Sequence, residues 1–250
     1  MKLLLIGAGN MGGALLRGWS GKHEIKVMEN SPRQREQLQK SVGPIAFAEP
    51  DEPCEGYCVV LAVKPQSIGS VTLKGEADAI VSIVAGVALK TLKERFEAKH
   101  YVRAMPNLAA LHGASATALT GDEHFKNEAL ELLGAVGTAC WLQSEKELDI
   151  ATALAGSGPG YLALVAESMA NAAVMLGMRN DDAHTLTQAL FAGMGPLLKH
   201  DHPALLKEKV ASPGGTTAAG LAALEAQGAR NAFYQALSAA YERSLALSKS

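Results

Sequence analysis

The sequence predicts an α/β protein, an N-terminal doubly wound sheet followed by an all-α C-terminal domain. Three observations carry that expectation. Short apolar runs of β type alternate with helical stretches in the first half, a glycine-rich loop follows the first of those runs, and after residue 144 alanine-rich helical periodicity replaces the β-branched runs. Alternating strands and helices with unbroken apolar strands are the pattern of a parallel sheet covered on both faces.

Taken in order, strands are expected at 2–7, 24–29, 57–63 and 79–84, with weaker candidates at 100–103, 114–119 and 137–142. Each is a short apolar run bounded by polar or glycine-containing segments. Helical stretches are expected between them at 10–20, 32–40, 89–99 and 122–133. Beyond Ser144 the pattern changes: 24 of the last 100 residues are alanine. Leu148, Ala151, Thr152 and Ala155 share one helical face, and Leu186, Ala189, Leu190 and Gly193 another. Small residues on those faces allow close helix–helix approach. Helices this apolar must be covered, and a second copy of the chain is the expected cover. The domains are therefore expected at 1–143 and 144–250.

Composition narrows the function classes. At 250 residues the chain can bury one large core or two modest ones. Hydrophobic residues at 48% and charged residues at 19% mark a folded globular protein. A formal net charge of -2 argues against nucleic acid or an acidic membrane surface as the main partner. Cys54, Cys58 and Cys140 make no disulfide framework, and no second Cys or His pair at zinc spacing accompanies the first two. Free thiols in a reducing compartment are expected. The opening apolar run meets glycine too early for a signal-peptide core or a membrane span. A longer apolar segment at 150–178 is broken at Gly156-Ser157-Gly158-Pro159-Gly160 and carries Glu167 and Asn171. The expectation is a cytoplasmic protein with no membrane, nucleic-acid or metal partner; His200-Asp201-His202 reads as a polar loop before Pro203.

Gly7-Ala8-Gly9-Asn10-Met11-Gly12 fits G-x-G-x-x-G directly after a strand and at the start of a helical stretch. Gly7 permits the tight turn, Gly9 lets the backbone approach a pyrophosphate, and Gly12 lets helix and strand pack closely. The pyrophosphate then meets the free N–H groups of the helix start. Glu29, at the end of the second strand, favours the ribose diol of NADH. Asn30, Ser31, Arg33 and Arg35 favour the 2′-phosphate of NADPH. NADPH is the expected cofactor, with NADH the alternative.

A second polar loop, Ser212-Pro213-Gly214-Gly215-Thr216-Thr217, offers bare backbone and hydroxyls but no charged side chain. On residue chemistry alone it is either a helix cap, with Thr216 as N-cap, or a cradle for an anion.

Six segments in order together resemble the pyrroline-5-carboxylate reductases. They are the glycine loop, Ala62-Val63-Lys64-Pro65, Val84-Ala85-Gly86-Val87, Arg103-Ala104-Met105-Pro106-Asn107, Gly156-Ser157-Gly158-Pro159, and Val210 to Thr217. The resemblance covers nearly the whole chain. It implies a Rossmann-type domain followed by a helical domain that dimerises by interleaving. It further implies NAD(P)H-dependent reduction of 1-pyrroline-5-carboxylate to L-proline, at sites between one subunit's nicotinamide and a neighbour's helical domain. A homodimer, or a ring of dimers, is the expected assembly.

Carried onto this chain, the implied cofactor contacts are Ile6, Gly7, Ala8, Gly9, Asn10 and Met11, then Asn30, Ser31 and Arg33, then Ala62, Val63, Lys64, Pro65, Ala85 and Gly86. The implied substrate loop uses the N–H groups of Gly214 and Gly215 and the hydroxyls of Ser212 and Thr216 for the ring carboxylate. Thr217 is placed at the ring nitrogen as the catalytic residue. The chain departs from the family's usual pattern at three places: Leu108-Ala109 stand for Thr-Pro, Gly160 for Ala, and Asp201 for a glutamate near His202-Pro203.

The chemistry suits these residues. A protonated cyclic imine is electrophilic at its ring carbon, so the cofactor supplies the reducing power and the protein needs neither nucleophile nor metal. Two rivals remain: another reductase of this build, acting on 2-hydroxy acids or other cyclic imines, and a non-catalytic NADPH-binding protein. The hydroxy-acid enzymes use a helix lysine as acid, and 161–178 contains none.

Overall fold

The computed structural model describes residues 1–49 and 51–247. In the first strand, β1 (Lys2–Ile6), Leu3 and Leu5 enter one buried cluster while Leu4 and Ile6 enter another. Successive strand side chains point to opposite faces, so a strand apolar at every position is covered on both sides. Around it assemble β2 (Glu24–Met28), β3 (Ala46–Phe47), β4 (Cys58–Leu61), β5 (Ala77–Ser82), β6 (Ala98–Met105), β7 (Ser115–Gly121) and β8 (Gly137–Trp141). Among the described residues they form one sheet of order β3-β2-β1-β4-β5-β6-β7-β8. The helices that cover it are α1 (Asn10–Trp19), α2 (Pro32–Val42), α3 (Leu89–Arg95) and α4 (Lys126–Gly134). Trp19 is fully buried, and its indole N–H donates to the Leu132 carbonyl at 2.8 Å, joining α1 to α4.

Two details differ from the sequence reading. The sheet is parallel except that β6 and β7 pair antiparallel. The link at 106–114 holds only a 3-10 turn, Leu108–His112, too short for the crossover that parallel strands need. The helix expected over 89–99 stops at Arg95, because 98–105 pairs with β5. The Tyr101 hydroxyl fixes that stop: it accepts from the Ala98 N–H at 2.9 Å and donates to the Phe96 carbonyl at 2.7 Å.

Helices follow: α5 (Glu145–Ala151), a π-helical turn (Thr152–Gly156), α6 (Gly158–Met175), α7 (Asn180–His200), α8 (Pro203–Val210), α9 (Thr216–Ala226) and α10 (Ala229–Leu247). The chain divides into two compact units, Met1–Pro159 with the chain end from Ser238, and Gly160–Leu237. Within the second unit only Ala170, Ala183 and Leu206 are buried, while Leu164, Met175 and Leu176 are 64%, 87% and 90% exposed. That unit has almost no core of its own.

Candidate active site

In the first unit the carboxyl ends of β1, β2, β4 and β5 share one edge of the sheet, and the strand order reverses between β1 and β4. Open α/β sheets bind ligands at such a switch point. Gly7 leaves β1 at φ +86, and a Cβ there would stand 2.9 Å from the Ala62 carbonyl oxygen. A Cβ on Gly12 would stand 2.3 Å from the Gly7 carbonyl oxygen, so α1 starts in direct contact with the turn. Gly9, by contrast, has nothing within 4 Å of that position. It caps α1 without any side-chain hydrogen bond, which leaves the leading N–H groups of the helix facing open space.

Beside this turn lies a cleft of about 450 Å³, lined by Ile6, Gly7, Met28, Glu29, Asn30, Val63 and Lys64, with Ser67, Ser70, Val71 and Thr72 closing it. Five of the residues picked from sequence therefore line one cleft: Ile6, Gly7, Asn30, Val63 and Lys64. Ala8, Gly9, Asn10 and Met11 continue from it into α1. Ala62 lies beneath Gly7, and Pro65 opens the 3-10 turn Pro65–Ser70. Ser31 caps α2 and Arg33 lies exposed in its first turn. Ala85 and Gly86 stand just beyond β5. The hydroxyls of Ser67, Ser70 and Thr72 were not read from the sequence; the run of small polar residues after Pro65 was their one signal. Arg95 fastens their turn by donating to the carbonyls of Ile68, at 3.1 Å, and Gly69.

The groups at the end of β2 divide sharply. Glu29 accepts the N–H of Ala8 at 3.0 Å and of Ser31 at 2.8 Å, so both carboxylate oxygens serve the loop itself. Arg35 donates to the Glu29 carbonyl and stacks 4.8 Å over the Phe47 ring. Both are committed to the fold. The Ser31 hydroxyl accepts from the Gln34 N–H and keeps its own proton to donate.

In the second unit, Gly214 turns the chain at φ +69 and the Gly215 N–H donates to the Ser212 carbonyl at 3.0 Å. Gly215, not Thr216, is the N-cap of α9, and no side chain caps the helix. The structure thus takes away the cap role that the sequence left open for Thr216. A Cβ on Gly215 would meet the Ser212 Oγ at 2.3 Å, so only glycine admits that hydroxyl. No hydrogen bond engages the hydroxyls of Ser212, Thr216 or Thr217 among the described residues. The leading N–H groups of a helix and unspent hydroxyls at its start can receive a carboxylate; the Gly215 N–H, held by Ser212, is not among them. Nearby, His202 accepts from the Ala204 N–H to cap α8, and Asp201 pairs with Lys209 at 2.6 Å.

Between β6 and β7, Asn107 holds its turn without a hydroxyl at position 108 or 109. Its Oδ1 accepts the Ala109 N–H at 3.1 Å, its Nδ2 donates to the Ala155 carbonyl at 3.0 Å, and its own N–H donates to the Ser115 Oγ. Leu108-Ala109 therefore leave the turn intact. Two of the three thiols are held protonated by burial, which pushes Cys58 up to about 12 and raises Cys54 as well; Cys140 is exposed.

Residues 145–247 match a family model described as pyrroline-5-carboxylate reductase dimerisation, and residues 2–86 match one described as NADP oxidoreductase coenzyme F420-dependent. A pyrroline-5-carboxylate reductase of Thermus thermophilus is 37% identical over 262 residues, covering 100% of both chains. Among solved structures, a pyrroline-5-carboxylate reductase from Coxiella burnetii superposes with a TM-score of 0.88 at 29% identity, covering 99% of this chain and 98% of its own. The Plasmodium falciparum pyrroline carboxylate reductase with NADP bound gives a TM-score of 0.80 at 25% identity, covering 99% of this chain and 98% of its own. Glycine turn, switch-point cleft, hydroxyl loop and full-length likeness agree: the chain belongs to the pyrroline-5-carboxylate reductase family.

Proposed function

We infer that the chain reduces 1-pyrroline-5-carboxylate to L-proline with a nicotinamide dinucleotide. The observation that carries this reading is the loop 212–217, whose three hydroxyls have no partner among the described residues and stand at a helix start that no side chain caps. The bound cofactor supplies hydride to the ring carbon. Gly214 offers its N–H to the ring carboxylate, joined by the hydroxyls of Ser212 and Thr216, while the Gly215 N–H, held by the Ser212 carbonyl, fixes the turn. Thr217 holds the ring nitrogen and its proton, and that nitrogen becomes the amine of the product. A lysine or arginine in the loop would repel the protonated imine, and none is present. Purified protein mixed with NADPH and pyrroline-5-carboxylate should consume the cofactor and form proline in equal amounts. Cofactor binding without imine-dependent turnover would favour the non-catalytic reading.

NADPH is the preferred cofactor in this reading. Glu29 is spent on backbone amides and so is poorly placed to read a ribose diol, while Ser31 and Arg33 remain free to meet a phosphate. Replacing Ser31 and Arg33 by alanine removes charge-assisted contacts worth about 1.5–3 kcal/mol each. The kcat/KM with NADPH should therefore fall about a hundredfold or more, with little change for NADH. Equal or better efficiency of the unaltered protein with NADH would overturn the preference and make Glu29 the ribose reader.

The reading also divides the work: 1–143 binds the dinucleotide, and 144–250 dimerises and holds the substrate, each site combining one subunit's cofactor domain with its partner's loop. The assembly in this reading is a homodimer or a ring of dimers. Mixing offers a test. A subunit crippled at the cofactor turn by Gly12→Ala and one crippled at the substrate loop by Thr217→Ala should regain activity when refolded together, since each mixed dimer then carries one intact site. No recovery would place each site within a single subunit. The segment Glu145–Met175 is apolar and long enough, at a hydropathy of 1.2, to cross a membrane by composition. Glu145 and Asp149, both ion-paired with Arg103, and the dimerisation match favour a protein interface for it instead. Residence in the cytoplasm fits that reading.

A further inference from the structure

We propose that Arg103, Glu145, Asp149 and Ser244 form a positioning network that sets the cofactor-binding segment 84–89. All four lie in the first compact unit. The Arg103 side chain, on β6, is only 5% exposed. Its Nη1 donates to Glu145 Oε1 at 2.7 Å, and its Nη2 lies 3.6 Å from Asp149 Oδ1. The Ser244 hydroxyl, in the last turns of α10, donates to the same Asp149 oxygen at 3.4 Å.

What gives the network a direction is its far end. Glu145 Oε1 also accepts the Leu89 N–H at 2.8 Å, so one carboxylate oxygen joins the buried guanidinium to the backbone where α3 begins. Leu89 ends the segment that starts at Val84. In its middle, Gly86 turns at φ +74, and a Cβ there would stand 3.1 Å from the Leu247 carbonyl oxygen. The segment is thus held twice, by Glu145 at one end and by the close of α10 at its centre. Ser244 ties that same helix end back to Asp149.

A buried ion cluster is a poor choice for stability alone, because apolar residues of equal volume do as well or better. Its directed geometry is what apolar packing cannot supply. Here the direction runs to a backbone N–H of the segment carrying Ala85 and Gly86. The inference rests on the reading of those two residues as cofactor contacts; they follow β5, across the switch point from the β2 end read as the 2′-phosphate site, and so belong to the nicotinamide half.

The test compares two ligands on the full-length protein: NADPH, and 2′,5′-ADP, which lacks the nicotinamide half. Glu145→Ala should raise the Kd for NADPH about tenfold, the size of one charge-assisted hydrogen bond. The Kd for 2′,5′-ADP should stay within about twofold of its starting value. Glu145→Gln, which keeps an oxygen for the Leu89 N–H, should restore most of the NADPH affinity. If Glu145→Ala fails to fold, Ser244→Ala, which leaves the ion pair in place, should show the same selective loss at about threefold. Ala85→Leu tests the underlying reading directly. If it weakens NADPH binding while the network variants change both ligands equally or neither, the positioning role is overturned and the cofactor reading stands. If Ala85→Leu leaves NADPH binding untouched, both fall.

Discussion

Thr217→Ala is expected to lower kcat/KM for pyrroline-5-carboxylate by about one to three decades with the protein still folded. The directed hydrogen bond it removes, at the nitrogen that gains electron density as hydride arrives, is worth roughly 2–4 kcal/mol in a site shielded from water. Little stability should go with it, because Gly215 caps α9 and the Thr217 hydroxyl has no partner among the described residues. A capping role would give the opposite pair of results, a loss of about 1 kcal/mol of stability and nearly intact turnover. Thr217→Ser keeps the hydroxyl and should keep most of the rate. Melting temperature and kcat/KM measured on the same two variants decide the matter. A fall of less than about threefold in kcat/KM for Thr217→Ala, with a lowered melting temperature, would make Thr217 structural.

A charge placed on the open face of the helical unit should have the other large effect. Leu190, on α7, is 47% exposed in the single chain, and Leu186, one turn earlier, is 58% exposed. Fully burying each leucine against a partner contributes about 1.5–3 kcal/mol, and many such side chains share this unit. Leu190→Asp replaces that gain with an ion whose burial is costly. Sedimentation velocity at micromolar concentration should show dimer or larger for the unaltered protein. The variant should give inactive monomer or aggregate. A fully active monomer at that concentration would refute an obligate assembly, as would full activity in a chain truncated after Leu142.

Much of the fold could be read before any coordinates, because its causes are local. Gly7 and Gly12 are glycines for steric reasons that act within the turn, and the apolar runs of β1, β4 and β5 announce strands covered on both faces. Other features depend on partners far along the chain. The direction of β7 follows from a link too short to cross over, which no property of 115–121 reveals. The Tyr101 hydroxyl, not helix propensity, ends α3. Arg103 could be seen as part of a motif, but Glu145 lies 42 residues away and Ser244 meets Asp149 across 95. The uncommitted state of the loop hydroxyls was equally hidden, since Ser-Pro-Gly-Gly-Thr-Thr fits a cap as well as a cradle. Only the placement of the N-cap on Gly215 separates the two.

The last helix has a consequence for how the protein is made. α10 begins among the residues of the helical unit and ends among those of the sheet unit, where Ser244 meets Asp149 and the Leu247 carbonyl meets Gly86. Synthesis runs from the N-terminus, and domains fold as they emerge. Here the residues from Ser238 on, which belong to the sheet unit, are polymerised after the whole of 160–237. A nascent chain can therefore lay down strands and helices early, yet the sheet unit is finished only after the helical unit has been made. A stop codon placed before Ser238 would take contacts away from the half of the enzyme encoded first.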